Sequence, residues 1–169
     1  MSANRLAVVV LGLFTALLLQ VSVLARLSFL GAKPNLVLVA VVCFALTDGP
    51  GVGMGAGFGI GLVTDLLGSH TLGLLALVYC VVGYAAGVIR SYFDRMSTFT
   101  PMAVVGVLTA VAVLAYAGLG ALLGDPRISG EPVVRSLVLT SLYDVVLTPF
   151  VFAAVTALRG RGDDPTRRL

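Results

Sequence analysis

The sequence predicts an all-α integral membrane protein, a bundle of about six transmembrane helices. Three observations carry this. Of its 169 residues, 59% are apolar and 11% are charged, whereas a soluble domain carries roughly 25% charged residues. Too little charge remains to coat a water-facing surface. Mean hydropathy is +1.07. Apolar runs also recur along the whole chain between short polar or glycine-proline breaks, and about 20 such residues in a helix cross the roughly 30 Å hydrocarbon core. The length suits one compact unit, read as a single helical domain over 1–158 with a cytoplasmic tail over 159–169.

The first run, 6–24, follows Arg5. Val23-Leu24-Ala25 would pass as a cleavage site, but the run exceeds the about 7–15 residues of a signal-peptide core, so it reads as the first span. The second expected span is 34–47. Its apolar part is short and suffices only if the helix reaches back past Pro34, a residue suited to a first turn, with Lys33 reaching the interface. Thr47-Asp48-Gly49-Pro50-Gly51 is a strong turn signal, so 34–67 divides into a tight helical hairpin whose third span is 52–67. Gly68-Ser69-His70 makes another turn, with Ser69 or Thr71 available to cap a fourth span over 72–89. A polar break from Arg90 to Arg95 contains Tyr92 and Phe93, residues suited to the membrane interface. The fifth span is 102–123 and the sixth 134–158, with Pro149 expected to kink it.

Orientation follows the Lys and Arg bias. One side of a six-span chain holds seven of them (Arg5, Arg90, Arg95, Arg159, Arg161, Arg167 and Arg168), and the other holds four (Arg26, Lys33, Arg127 and Arg135). Both termini are therefore expected in the cytoplasm. The net charge of +3 does not suggest nucleic acid, because its cations sit singly or in pairs rather than clustered on one face. Cys43 and Cys80 lie inside apolar runs and read as small hydrophobes. His70 reads as an exposed turn residue. No catalytic set, metal-ligand cluster or cofactor fingerprint emerges, so neither an enzyme nor a cofactor is expected.

The third span is the most informative stretch, with glycine at 49, 51, 53, 55, 57, 59 and 61. On a helix, Gly53, Gly57 and Gly61 form one stripe, and Gly51, Gly55 and Gly59 form another about 200° away. Small residues four apart let helices approach closely in lipid. Two such stripes predict a helix held between two neighbours at the centre of the bundle. A β-strand would leave open edges in lipid, and a phosphate loop would need the Gly-Lys-Ser/Thr ending, absent here. Gly83 with Gly87, and Gly106 with Ala110, repeat the spacing more weakly.

Ionisable groups within spans are costly and mark function by default. Asp65 continues the Gly53–Gly61 stripe. Asp144 lies deep in the sixth span, in a polar stripe with Ser136, Thr140 and Thr148. Asp65, Asp144, Thr140 and Thr148 are thus the candidate binding residues. The structural readings stand beside this one: Asp65 bonding the free amides at the start of the fourth helix, and Asp144 held protonated and donating to a neighbouring helix.

The order of these features resembles the rod shape-determining protein MreD family over most of the chain. The residues carrying it are Lys33-Pro34-Asn35-Leu36, then Gly49, Gly53, and Gly57-Phe58-x-x-Gly61-Leu62-x-x-Asp65-Leu66. Leu72-Gly73, Gly83-Tyr84-x-x-Gly87 and the late Pro149 follow. Asp144 departs from the pattern, where the resemblance implies an uncharged polar residue such as Asn. The resemblance implies a non-enzymatic component of the bacterial elongation machinery in the inner membrane. It would sit beside the single-span protein MreC and help couple cytoplasmic MreB filaments to the RodA glycosyltransferase and its penicillin-binding transpeptidase. It also implies a fold similar to the substrate-binding S-components of energy-coupling factor transporters, so a small-molecule-binding transporter subunit is the alternative. Under the scaffold reading, Gly57→Leu or Gly106→Leu would disrupt assembly or partner capture.

Overall fold

The computed structural model describes residues 3–24, 34–67, 73–92, 99–123 and 130–162, and among these every regular element is helical. Six α-helices follow in order: α1 Ala3–Leu19, α2 Leu36–Asp48, α3 Pro50–Leu67, α4 Leu74–Ile89, α5 Phe99–Leu122 and α6 Gly130–Gly162. A π-helical turn, Gln20–Leu24, extends α1, and a 3-10 turn, Arg90–Tyr92, follows α4. Of the residues given roles above, Ala25, Arg26, Lys33, Gly68, Ser69, His70, Thr71, Leu72, Phe93, Arg95, Arg127, Arg167 and Arg168 lie outside the described residues.

Helices α3, α5 and α6, and α1 together with its π-helical turn, contain apolar stretches of 18 to 22 residues, long enough to cross a membrane. The other two are shorter, at 13 residues for α2 and 16 for α4. At about 1.5 Å per residue, α2 covers only about 20 Å. It does not reach back past Pro34, because Asn35 is its N-cap: the Asn35 side chain accepts from the Leu38 amide at 3.2 Å. Such a side-chain bond competes with continued helix. At the other end of the chain, α6 passes through Pro149 and continues to Gly162. The first residues of the expected tail are therefore helical, and 163–169 lie outside the described residues.

The centre of the bundle is α2, not α3. Every residue from Val37 to Ala45 is at most 2% exposed, and α2 packs against each of the other five α-helices. A helix that is apolar on all sides has no face to present to water and is stable when enclosed. Enclosure also removes the need for α2 to match the bilayer thickness, since its longer neighbours do so. Gly12 of α1 makes room for Phe44 of α2: a Cβ there would lie 2.7 Å from the ring.

A single residue, Gly49, joins α2 to α3. Its amide donates to Ala45 O at 2.8 Å, and its φ of 98° is left-handed. Pro50 then opens α3 at the first helical position, where its missing N–H costs nothing. The Arg90 guanidinium lies over this turn, with Nη1 3.4 Å from where a Gly49 Cβ would be. Gly49→Ala is expected to cost about 1–3 kcal/mol through this positive-φ backbone alone. The thermal unfolding midpoint in detergent should fall for this variant. It should not fall for Gly51→Ala, where a Cβ meets nothing within 4 Å.

Candidate functional site

The two glycine stripes of α3 have different fates. Gly53, Gly57 and Gly61 face α4, backbone against backbone. A Cβ on Gly53 would run into the Gly83 carbonyl, and one on Gly57 into the Tyr79 carbonyl. One on Gly61 would lie 2.6 Å from Ala76 Cα, and Gly87 receives Pro50 in the same way. This seam holds α3 and α4 antiparallel over their full length. Its attraction is dispersion between closely apposed backbones, which replaces the hydrophobic drive absent in lipid. Gly106 plays a smaller part elsewhere, against Val145 of α6, with 2.7 Å from its Cβ position to Cγ2.

The second stripe is open. A Cβ on Gly51, Gly55 or Gly59 would meet nothing within 4 Å. These glycines floor a groove of about 440 Å³ between α3 and α1, walled by Leu6, Val10, Phe14, Val52 and Val63. The sequence implied a neighbour on each side of α3. Among the described residues, only α4 takes up its stripe.

Both buried aspartates close the start of a short helix. Asp65, 1% exposed, accepts at Oδ2 from the Gly73 amide at 3.0 Å and the Ala76 amide at 3.2 Å. These amides open α4, whose N-cap Gly73 offers no side chain. Asp65 Oδ1 has no partner among the described residues. A helix leaves its first amides without internal partners, and where water is scarce a borrowed carboxyl satisfies them.

At α2 the arrangement is more elaborate. Asp144, wholly buried, accepts at Oδ1 from the Asn35 amide at 2.8 Å and at Oδ2 from the Thr109 hydroxyl at 3.1 Å. Both carboxyl oxygens are thus engaged, one by a backbone N–H and the other by a hydroxyl on the neighbouring α5. Gln20, in the π-helical turn, accepts at Oε1 from the Val37 amide at 2.9 Å. The Asn35 side chain donates through Nδ2 to Tyr79 Oη at 2.7 Å, and that hydroxyl lies 3.0 Å from Asn35 Oδ1, to which it donates. Four elements are thus tied to the N-terminus of α2: α6 through Asp144, α5 through Thr109, α1 through Gln20 and α4 through Tyr79.

The remaining candidates fall around this cluster. Thr148, wholly buried, donates to the Asp144 carbonyl at 2.6 Å. Thr140 is buried and lines a second cavity, described below. The side chain of Ser136 lies outside those described. Asp65 is brought to the α4 start and Asp144 to the α2 start, at the same end of the bundle but in separate hydrogen-bonded groups. Sequence reasoning missed Asn35, Gln20, Tyr79 and Thr109. Asn35 carried a readable signal, a capping residue just before an apolar run. Gln20 carried a weaker one, as a lone amide within an apolar run.

Cys43 is buried, Cys80 is partly buried, and both are free thiols. Among the described residues, no group of three or more His, Cys, Asp or Glu is placed to hold a metal ion. Compared with known proteins, the chain matches the family model described as rod shape-determining protein MreD over residues 2–157. No curated protein and no solved structure matches it.

Proposed function

The chain belongs to the MreD family of rod shape-determining proteins, and from that premise we propose that it is a non-enzymatic scaffold which seats the transmembrane helix of MreC. The seat is the groove between α1 and α3. The observation that carries this is the open stripe of Gly51, Gly55 and Gly59, beside the exposed side chains of Val10 and Phe14. A smooth backbone surface bordered by apolar ridges is what a second helix needs in order to approach closely in lipid. Its length supports a helical guest: twelve residues separate Gly51 from Val63, or about 18 Å along the axis.

On this reading the protein lies in the bacterial inner membrane with both termini cytoplasmic. It contributes no chemistry of its own. Through MreC it is linked to MreB filaments, RodA and a penicillin-binding transpeptidase, and its role is to fix where these meet.

The test uses the open stripe, because Gly57 and Gly106 both pack inside the bundle and their substitution would report on folding instead. Gly55→Leu and Gly59→Leu should each reduce co-purification of MreC at least tenfold in mild detergent, with an unchanged elution profile. Full recovery of MreC with both variants would remove the groove as the seat.

A further inference from the structure

Because α2 starts short of the bundle end, a second cavity of about 300 Å³ is left above its N-terminus. Gln20, Asn35, Thr64, Tyr79, Tyr116 and Thr140 converge on it from six elements, and the described lining is uncharged throughout. Aliphatic side chains of α2, α4 and α5, among them Leu38, Val78 and Val113, form the rest. The volume is at the small end of ligand sites, which run from about 300 Å³ upward.

The donor inventory of this wall is uneven. Gln20 uses its carbonyl oxygen to receive the Val37 amide, which leaves both hydrogens of its NH2 group without a partner among the described residues. Asn35 uses one side-chain N–H on Tyr79 and receives the Leu38 amide and the Tyr79 hydroxyl at its oxygen, so its second side-chain N–H has no partner among the described residues. Thr64 spends its hydroxyl hydrogen on the Ile60 carbonyl at 2.8 Å. The Gln20 and Asn35 amides thus offer hydrogens. These hydrogens are available to an acceptor that enters the cavity.

We propose that this cavity binds an uncharged amphipathic molecule, whose oxygen acceptors are held by the Gln20 and Asn35 amides and whose apolar body lies between the Tyr79 and Tyr116 rings. The site is independent of the groove between α1 and α3 and does not depend on the scaffold reading. The same chemistry is offered by the glycerol-ester region of a lipid entering from the bilayer and by a free neutral solute entering from water.

Two probes separate these sources: monoolein for the first and N-acetyltyrosinamide for the second. Each would be titrated into the full-length protein in dodecyl maltoside and followed by native mass spectrometry and thermal unfolding. One probe should bind saturably and raise the unfolding midpoint. Val113→Phe, which fills the cavity, should weaken that binding at least tenfold. Gln20→Leu should weaken it about fivefold, and Val113→Ala should retain it. Saturable binding of monoolein alone assigns the site to lipid, and of N-acetyltyrosinamide alone to a free solute. Failure of both probes overturns the proposal, since each carries the full chemistry the site is held to recognise. Equal binding to wild type and to a folded Val113→Phe overturns it as well.

Discussion

Gly57→Leu is expected to abolish accumulation of folded protein, with less than a tenth of the wild-type yield of monodisperse material after detergent extraction. The obstacle is backbone. The first carbon of any side chain at 57 would occupy the space of the Tyr79 carbonyl, and no rotamer change can move a carbonyl in the middle of α4. Overpacking against yielding side chains costs about 1–3 kcal/mol. Here the two helices must separate, and separation at Gly57 also undoes the close approach at Gly53 and Gly61. A loss spread over the whole seam is large beside a typical total stability of about 5–15 kcal/mol. Gly57→Ala should already lower the unfolding midpoint. The control lies two residues away: Gly55→Leu, pointing into open space, should give wild-type yield. Equal yields for Gly55→Leu and Gly57→Leu would show that the seam is not what holds α3 to α4.

The second large effect is at Asp144, and its sign depends on the replacement. Asp144→Ala removes the acceptor for the Asn35 amide and the Thr109 hydroxyl. Each stranded buried donor costs about 1–3 kcal/mol. The hydroxyl can turn back to a carbonyl of its own helix, so the expected total is about 2–4 kcal/mol. Asp144→Asn should cost less than about 1 kcal/mol. Its oxygen can still receive the Asn35 amide, and the Thr109 hydroxyl, which both donates and accepts, can rotate to receive the new NH2. Thermal unfolding followed by far-UV circular dichroism should therefore rank wild type and Asp144→Asn close together, with Asp144→Ala far below. Asn and Ala falling together would mean that the charge, rather than the hydrogen-bond geometry, is what matters at this position.

The helices were legible because the signals for them are local. Hydropathy marked where each run begins and ends to within a few residues, and Gly49 with Pro50 marked the hairpin. The Asp65 cap was legible for the same reason, since Asp65 and Gly73 are only 8 residues apart. The arrangement of the helices was another matter. Sequence offers the two glycine stripes of α3 as equals, and which of them is taken depends on Gly83 and Gly87 lying at matching heights on α4. Nor could α2 be recognised as central, because a helix apolar all round gives no indication of direction. The pairing of Asn35 with Asp144 spans 109 residues. Periodicity within one helix carries no information about a partner in another, so Asp144 showed a need for company without showing whose.

That same separation has a consequence for biosynthesis. The innermost helix is the second to leave the ribosome, yet the group that closes its leading end belongs to the last. Until residue 144 has been made and inserted, α2 must wait in the bilayer with that end unfinished. Completion is therefore coupled to arrival of the final segment, and a chain interrupted before that point remains an incomplete product on which membrane quality control can act.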